Sequence, residues 1–325
     1  MNNTMWLDRR VLVTGATGFV GSYLTDRLQL YGAEVVTIMR DFLPLSPFIT
    51  SNYHADVTVV RGDLCDKDLV MRVLSDYEID TVFHLAASTV VTIANADPYS
   101  TLRNNFNSTL NILEAMRVYG KVRHAVIASS DKAYGPLLTR SMYKETDPVQ
   151  GVFPYDCSKS CTDLTAQSYA ITYDLPLAVS RCGNIYGGGD MNYNRLVPNT
   201  IRRILRGKLP VIHGTGEETR DYFYVEDAVE AYLQLSQMEA QGPYNFAYGE
   251  GQTVKQVIET ICKEMGVEKR YEIKKNADAQ IFYQWLDSSK ARTNLGWSPK
   301  FSFAEGIRQT VAWYRNRLAQ DNEKL

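Results

Sequence analysis

Tyr155 and Lys159 stand four residues apart in Phe153-Pro-Tyr-Asp-Cys-Ser-Lys159, where the pattern predicts a helix over 155–173. Residues i and i+4 share a helix face, so the ammonium can lie near the phenol. A tyrosine with its ordinary pKa of about 10 is a poor base at neutral pH. A nearby cation favours the phenolate, which makes Tyr155 a candidate acceptor for the proton of a substrate hydroxyl. Taken alone, the same spacing also suits an ordinary solvated helix face. Its meaning depends on what lies upstream.

Upstream, Thr14-Gly-Ala-Thr-Gly-Phe-Val-Gly21 places Gly15, Gly18 and Gly21, with Thr17, Phe19 and Val20 among them, at a strand-to-helix junction. Gly15 allows a tight turn, Gly18 lets a pyrophosphate approach the backbone, and Gly21 permits close packing of the helix. The anion then sits on the positive end of the helix dipole. A dinucleotide site is expected here. Where the second strand ends, a carboxylate would meet a free ribose 2'-OH, but the chain has Met39, then Arg40 and Asp41. Arg40 suits a 2'-phosphate and leans the reading towards NADP. Asp41 can turn back to a ribose, so NAD stays open, and Arg40 can also be plain surface. Asp63 in Arg61-Gly-Asp-Leu64 is placed to meet the adenine edge or to cap the next helix.

These residues need a scaffold. The chain has 325 residues, enough for about two domains. Its 45% hydrophobic and 22% charged content is that of an ordinary globular protein. A net charge of −2 without basic runs gives no support for a nucleic-acid surface. Met1 to Asp8 lacks the apolar stretch of a signal peptide, and no segment approaches the length of a membrane span. The scattered Cys65, Cys157, Cys161, Cys182 and Cys262 read as free thiols rather than a metal site, and a reducing cytoplasm suits them.

Apolar runs at 10–14, 34–38, 57–60, 81–85, 124–128 and 176–180 alternate with helical patterns at 19–30, 67–75, 99–119 and 155–173. Such alternation predicts an α/β fold, a doubly wound parallel sheet covered on both faces. After about Arg181 the rhythm breaks into glycine-rich loops, with helices expected at 225–238, 254–265 and 303–318 and a short strand at 244–246. The expected organisation is a Rossmann domain over 1–182, with 221–248 returning to it. A smaller α/β substrate domain is expected from 183–220 and 249–325.

With GATGFVG, Gly62-Asp-Leu64, His84-Leu-Ala-Ala87, Asn104-Asn105, Ser129-Ser130, the Tyr155–Lys159 pair and Arg181-Cys-Gly-Asn184, the chain resembles the extended short-chain dehydrogenase/reductases that modify nucleotide sugars. Three segments look most like the CDP-glucose 4,6-dehydratase type: Ser130-Asp-Lys132, Asn184 to Asp190 with Arg195-Leu-Val-Pro198, and Leu286-Asp-Ser-Ser-Lys290 through Trp297. The resemblance implies that Ser130 bonds a sugar 4-OH, that Tyr155 is the base, and that Lys159 holds Tyr155 and the nicotinamide ribose. It adds Leu64, Leu85, Ala86, Ala87, Asn105 and Cys182 to the cofactor side. It gives Ser88, Ser130, Asn184, Arg195, Leu196, Val197, His213, Arg220 and Asp287 to the substrate, with Arg220 gripping the diphosphate.

Asp131 and Lys132 point to the subclass. Loss of water across C5 and C6 of a 4-keto sugar needs a base at C5 and an acid at the C6 hydroxyl. The implied enzyme is a nucleotide-diphospho-hexose 4,6-dehydratase using bound NAD(P), with a nucleotide-sugar 4-epimerase or 4-keto-sugar reductase as the alternative. A homodimer built on the helices near 99–119 and 155–173 is a further expectation from the resemblance.

Overall fold

The computed structural model describes residues 3–136, 141–274 and 282–322. Its strands are β1 (Arg10–Thr14), β2 (Glu34–Met39), β3 (Thr58–Arg61), β4 (Thr81–His84), β5 (His124–Ala128), β6 (Leu177–Cys182), β7 (Asn184–Tyr186) and β8 (Val211–His213). They continue as β9 (Thr219–Arg220), β10 (Tyr222–Tyr224), β11 (Gly242–Phe246), β12 (Gln252–Thr253), β13 (Glu272–Lys274) and β14 (Tyr283–Gln284). The helices are α1 (Phe19–Leu30), α2 (Pro47–Thr50), α3 (Lys67–Asp76), α4 (Val91–Ala96), α5 (Pro98–Tyr119) and α6 (Pro154–Tyr173). Then come α7 (Leu196–Leu205), α8 (Val225–Gln237), α9 (Val254–Met265), α10 (Ser289–Leu295) and α11 (Phe303–Asn322).

Seven parallel strands form the main sheet in the order β11-β6-β5-β4-β1-β2-β3. The order reverses beside β1 and β4, which opens a crevice at the carboxyl ends of those strands. Side chains on both faces of the strands are buried. Val11, Val13, Phe83 and Val126 pack on one side with Leu24 and Leu28 of α1 and Val229 and Leu233 of α8. Leu12, Val82, Ile127 and Val179 pack on the other with Val73 and Leu74 of α3, Ile112 of α5 and Ala166 of α6. That double burial explains why the strands read as apolar runs rather than alternating ones.

Local signals set the helix ends. The carboxylate of Asp66 accepts the amides of Asp68 and Leu69 at the start of α3, and Asp97 accepts that of Ser100 in α5. Thr253 and Gln256 form a reciprocal capping box on α9. The predicted long elements are present, with ends that differ by a few residues at most. The two- and three-residue strands of the small sheets β10-β7, β12-β9-β14 and β13-β8 were not legible, because so few residues carry no periodic signal. The α2 and α4 helices were missed for the same reason.

Two buried polar arrangements hold this frame. His84 at the end of β4 is fully buried, with Nδ1 2.8 Å from Thr14 Oγ1 and Nε2 3.1 Å from Thr109 Oγ1. Arg181 on β6 makes a bidentate pair with Asp163 on α6, Nε and Nη2 each 2.8 Å from a carboxylate oxygen. Its Nη1 donates to Tyr134 Oη at 2.8 Å, and Tyr134 donates to Asn245 Oδ1 at 2.7 Å.

Both arrangements make predictions. Burial, with Lys159 acting in the same direction, pushes the His84 pKa down to about 3. Between that value and the ordinary one of about 6.5, the unfolded chain binds the extra proton. Stability is therefore lost as pH falls through this window. Between pH 7 and pH 4 the wild type should lose about 2–3 kcal/mol more than His84→Gln, measured by denaturant titration. Equal losses in the two proteins would refute the assignment. Arg181→Met, which strands a buried carboxylate, should cost about 3–5 kcal/mol in the same measurement.

Candidate active site

The turn from β1 into α1 leaves room for glycine alone. Gly15 has φ +76°, and a Cβ there would lie 2.8 Å from the Ala86 amide nitrogen. A Cβ on Gly21 would lie 2.1 Å from Gly15 O, so the helix packs directly on the turn. Gly18 donates to Gly15 O at 2.9 Å and starts α1 without a side-chain cap. The amides of the first helical turn are thus left for an anion.

A cleft of about 340 Å³ opens beside this turn. It is lined by Gly15, Thr17, Gly18, Phe19, Val20 and Gly21, by Arg40, Asp63 and Leu64, and by Leu85, Ala86, Ala87 and Asn105. A second cleft of about 350 Å³ shares Val20, Leu85, Thr89 and Arg195 with the first. A glycine turn, an uncapped helix start and two clefts with a common wall fit a dinucleotide whose reactive end enters the second cleft.

At the ribose edge the arginine is already engaged. Arg40 Nε lies 2.8 Å from Asp41 Oδ2, and its Nη1 is 3.7 Å from Asp63 Oδ2. The guanidinium read as a phosphate partner is here shared between two carboxylates. Asp63 also accepts the amide of Cys65 at 2.9 Å, while the cap of α3 is Asp66.

Tyr155, Lys159, Ser130, Asp131, Lys132 and Cys182 all line the second cleft. Tyr155 and Lys159 come from the first turns of α6, Ser130 is the second residue after β5, Asp131 and Lys132 lie in the 3-10 turn Asp131–Tyr134, and Cys182 ends β6. Ser130 Oγ donates to Asp131 Oδ1 at 2.9 Å and accepts the amide of Lys132 at 3.2 Å. Lys159 Nζ donates to Ala128 O at 2.7 Å, and burial lowers its pKa to about 8. Burial pushes Tyr155 up to about 12, eased by the Arg195 guanidinium and the nearby Ser130 hydroxyl and reinforced by Asp131. Arg195 favours the phenolate, and the helix spacing could not reveal it.

Lys132 Nζ is 3.5 Å from Asp131 Oδ2 and donates to Gln284 Oε1. Burial lowers its pKa, Asp131 and Asp156 oppose this, and Arg220 reinforces it. Asp156 is 3% exposed with Oδ2 unpartnered, and burial raises its pKa to about 6 against the pull of Lys132. Asp156 and Gln284 were missed from the sequence. Asp156 was visible as an acid beside Tyr155, but Gln284 lies 152 residues from Lys132 and carries no local signal.

On the substrate side, Asn184, Arg195, Leu196 and Val197 line the second cleft. Arg195 is paired with buried Asp190 at 3.0 Å. Four other expectations need correction. Ser88 lines the cofactor cleft instead, its amide donating to Asn105 Oδ1 at 2.7 Å. That bond, with Asn105 Nδ2 donating to Ser158 Oγ at 2.9 Å, makes Asn105 a brace between loop and helix. His213 is exposed on β8 in register with Lys274, outside both linings. Arg220 is in neither lining, with Nη1 donating to the main-chain carbonyl of Thr219 at 2.8 Å, although its charge acts on Lys132 and Asp131 of the second cleft. Asp287 is turned to the amide of Ser289 at 2.8 Å and caps that bend. Among the described residues no group of metal-ligating side chains is assembled, and all five cysteines are free.

The comparisons agree with this geometry. The family described as GDP-mannose 4,6 dehydratase matches residues 12–310. The trifunctional UDP-glucose 4,6-dehydratase/UDP-4-keto-6-deoxy-D-glucose 3,5-epimerase/UDP-4-keto-L-rhamnose-reductase of Arabidopsis thaliana is 30% identical over 94% of the chain, which spans about half (47%) of that protein. The structure of DesIV, a dTDP-glucose 4,6-dehydratase from Streptomyces venezuelae with NAD and TYD bound, superposes with a TM-score of 0.87 at 27% identity, covering 96% of this chain and 98% of that one. The UDP-glucose 4-epimerase of Thermotoga maritima, with UDP-glucose, superposes with a TM-score of 0.88 at 31% identity, covering 95% and 99%. The chain therefore belongs to the GDP-mannose 4,6-dehydratase family, within the extended short-chain dehydrogenase/reductases that dehydrate or epimerise nucleotide sugars.

Proposed function

We propose that the chain is a nucleotide-diphospho-hexose 4,6-dehydratase that works with bound NAD. One observation carries this reading: an acid–amine pair, buried Asp131 and half-buried Lys132, stands in the same cleft as Ser130 and Tyr155. A 4-epimerase needs only hydride removal and return, whereas dehydration also needs an acid and a base at C5 and C6. When bound, the dinucleotide supplies a hydride acceptor and returns the hydride. Ser130 holds the 4-OH and Tyr155 takes its proton, favoured by Arg195. Asp131 gives a proton to the departing C6 hydroxyl. Lys132 takes the C5 proton, which the lowering of its pKa by burial supports, and gives a proton back to C5 when hydride is returned at C6. Asn184, Arg195, Leu196 and Val197 are the proposed substrate contacts.

NAD is favoured over NADP because Arg40 is already paired with Asp41 and near Asp63, so a 2'-phosphate would meet two carboxylates. The proposed division keeps 1–182 and 221–248 for the cofactor and 183–220 with 249–325 for the nucleotide sugar. A dimer through α5 and α6 is supported by exposed Tyr99, Leu164 and Ile171 on those helices. Free cysteines suit a reducing cytoplasm, and no helix of the described residues is long and apolar enough to cross a membrane.

Incubation with the dTDP, UDP, CDP and GDP derivatives of glucose tests the reading. A 4-keto-6-deoxy product is expected from at least one, while an epimeric hexose without loss of water would replace it with the 4-epimerase. Tyr155→Phe should lower turnover by about 10²-fold or more. Lys132→Met should abolish loss of water while transient oxidation at C4 persists; full retention of dehydration would remove Lys132 from the mechanism. Mass spectrometry of nucleotides released on denaturation is expected to find NAD, and NADP alone would overturn the assignment of the ribose edge.

A further inference from the structure

Lys132 takes a partner from far along the chain, Gln284, 152 residues away. Gln284 is 0% exposed on β14, which pairs in parallel with β9 and sets Gln284 opposite Arg220. Its main chain is pinned by the amide of Asp221, which donates to Gln284 O at 3.2 Å. Both ends of its carboxamide are used. Nε2 donates to the main-chain carbonyl of Asp131 at 3.2 Å, and Oε1 accepts from Lys132 Nζ. A reversed amide would set its NH₂ against the ammonium and its oxygen against another carbonyl, so one orientation is enforced.

We propose that Gln284 is a positioning residue for Lys132: its carboxamide, carried across from β14, fixes the amine beside Asp131 without adding a charge and so sets both its aim and its proton affinity. The proposal rests on the dehydratase reading for its consequence in turnover, though not for the contact itself. A neutral acceptor suits this place. The charged and titratable groups facing Lys132 are Asp131 on its own turn, Asp156 on α6 and Arg220 on β9. Tyr143, Tyr155 and Asp221 stand close to the same carboxylates. Asp131 Oδ2 and Asp156 Oδ2 are buried without a hydrogen-bond partner. A third carboxylate would hold the proton on Lys132, while an apolar residue would leave the ammonium without an acceptor it now has.

The sign of each substitution follows. Gln284→Glu keeps the shape but adds an opposite charge, which raises the proton affinity of Lys132. Gln284→Leu removes the acceptor and lowers it. In protein labelled with 13C at lysine Cε, with the Lys132 signal assigned by its loss in Lys132→Met, the titration midpoint should move up by about one unit in Gln284→Glu and down in Gln284→Leu. With the nucleotide-hexose that the wild type turns over, kcat should fall about tenfold at neutral pH in Gln284→Glu with KM little changed, and the acid limb of kcat should move to higher pH. The same limb shift is expected when Asp156→Asn is also present.

A Gln284 that only packs β14 would change melting temperature without moving the midpoint in opposite directions. Midpoints that stay fixed in a folded variant overturn the proposal, as does a limb shift that disappears with Asp156→Asn. If Gln284→Leu does not fold, the near-isosteric Gln284→Glu decides alone. The titration needs no substrate, so expected midpoints in a protein that dehydrates no sugar nucleotide would support the positioning role and refute the dehydratase reading.

Discussion

One guanidinium connects the parts that have to stay in register. Arg181 is held on β6, and its bidentate pair with Asp163 fixes α6, one turn beyond Lys159 and two beyond Tyr155. The same side chain donates to Tyr134, the last residue of the turn that carries Asp131 and Lys132. Tyr134 passes the connection to Asn245 on β11, whose amide donates to the carbonyls of Tyr143 and Asp287. A buried charge tolerates little displacement from its partners, because any gap leaves it desolvated and unpaired. The arginine therefore acts as a gauge: sheet, site helix, catalytic turn and the segment leading from β14 take up one relative position.

The site exploits the burial that this frame creates. Burial pushes Tyr155 up to about 12, lowers Lys159 to about 8 and raises Asp156 to about 6. All three shifts have one origin, since a low-dielectric interior disfavours the charged form of each group. Lys159 and Asp156, which would be fixed in charge on the surface, are thereby brought nearer to neutrality, while Tyr155 is held as its phenol unless a cation offsets the burial. Opposing charges are then added sparingly: Arg195 for Tyr155, Asp163 for Lys159, Asp131 and Asp156 for Lys132. Proton transfer among such groups is what dehydration of a sugar demands and what simple epimerisation does not.

Much of this was legible from residue order. The glycine spacing gave the turn, and the apolar runs gave the parallel sheet, since strands buried on both faces lose their alternation. Helix α6 could be placed from its pattern, and with it the pair Tyr155 and Lys159. The reading failed where it assigned contacts rather than elements. Lys159 also donates to Ala128 O, Arg40 is engaged by Asp41, and Arg220 donates to the carbonyl of Thr219 while standing near Lys132. His213 and Asp287, expected on the substrate side, are in neither cleft lining. A spacing of four residues says which helix face a side chain occupies, but its partner is chosen by whatever else packs there.

The amino-acid sequence by itself determined the elements with local causes: the glycine turn, the capped helices, the apolar strands and the reactive residues borne on them. Tertiary structure decided which groups face one another. Arg195 reaches Tyr155, and Gln284 reaches Lys132 across 152 residues, by way of chain reversals and strand pairings that no local period encodes. The physical reason is one of range. Backbone propensity and periodicity act over a few residues, whereas burial and electrostatic pairing act through space between segments brought together only by the completed fold.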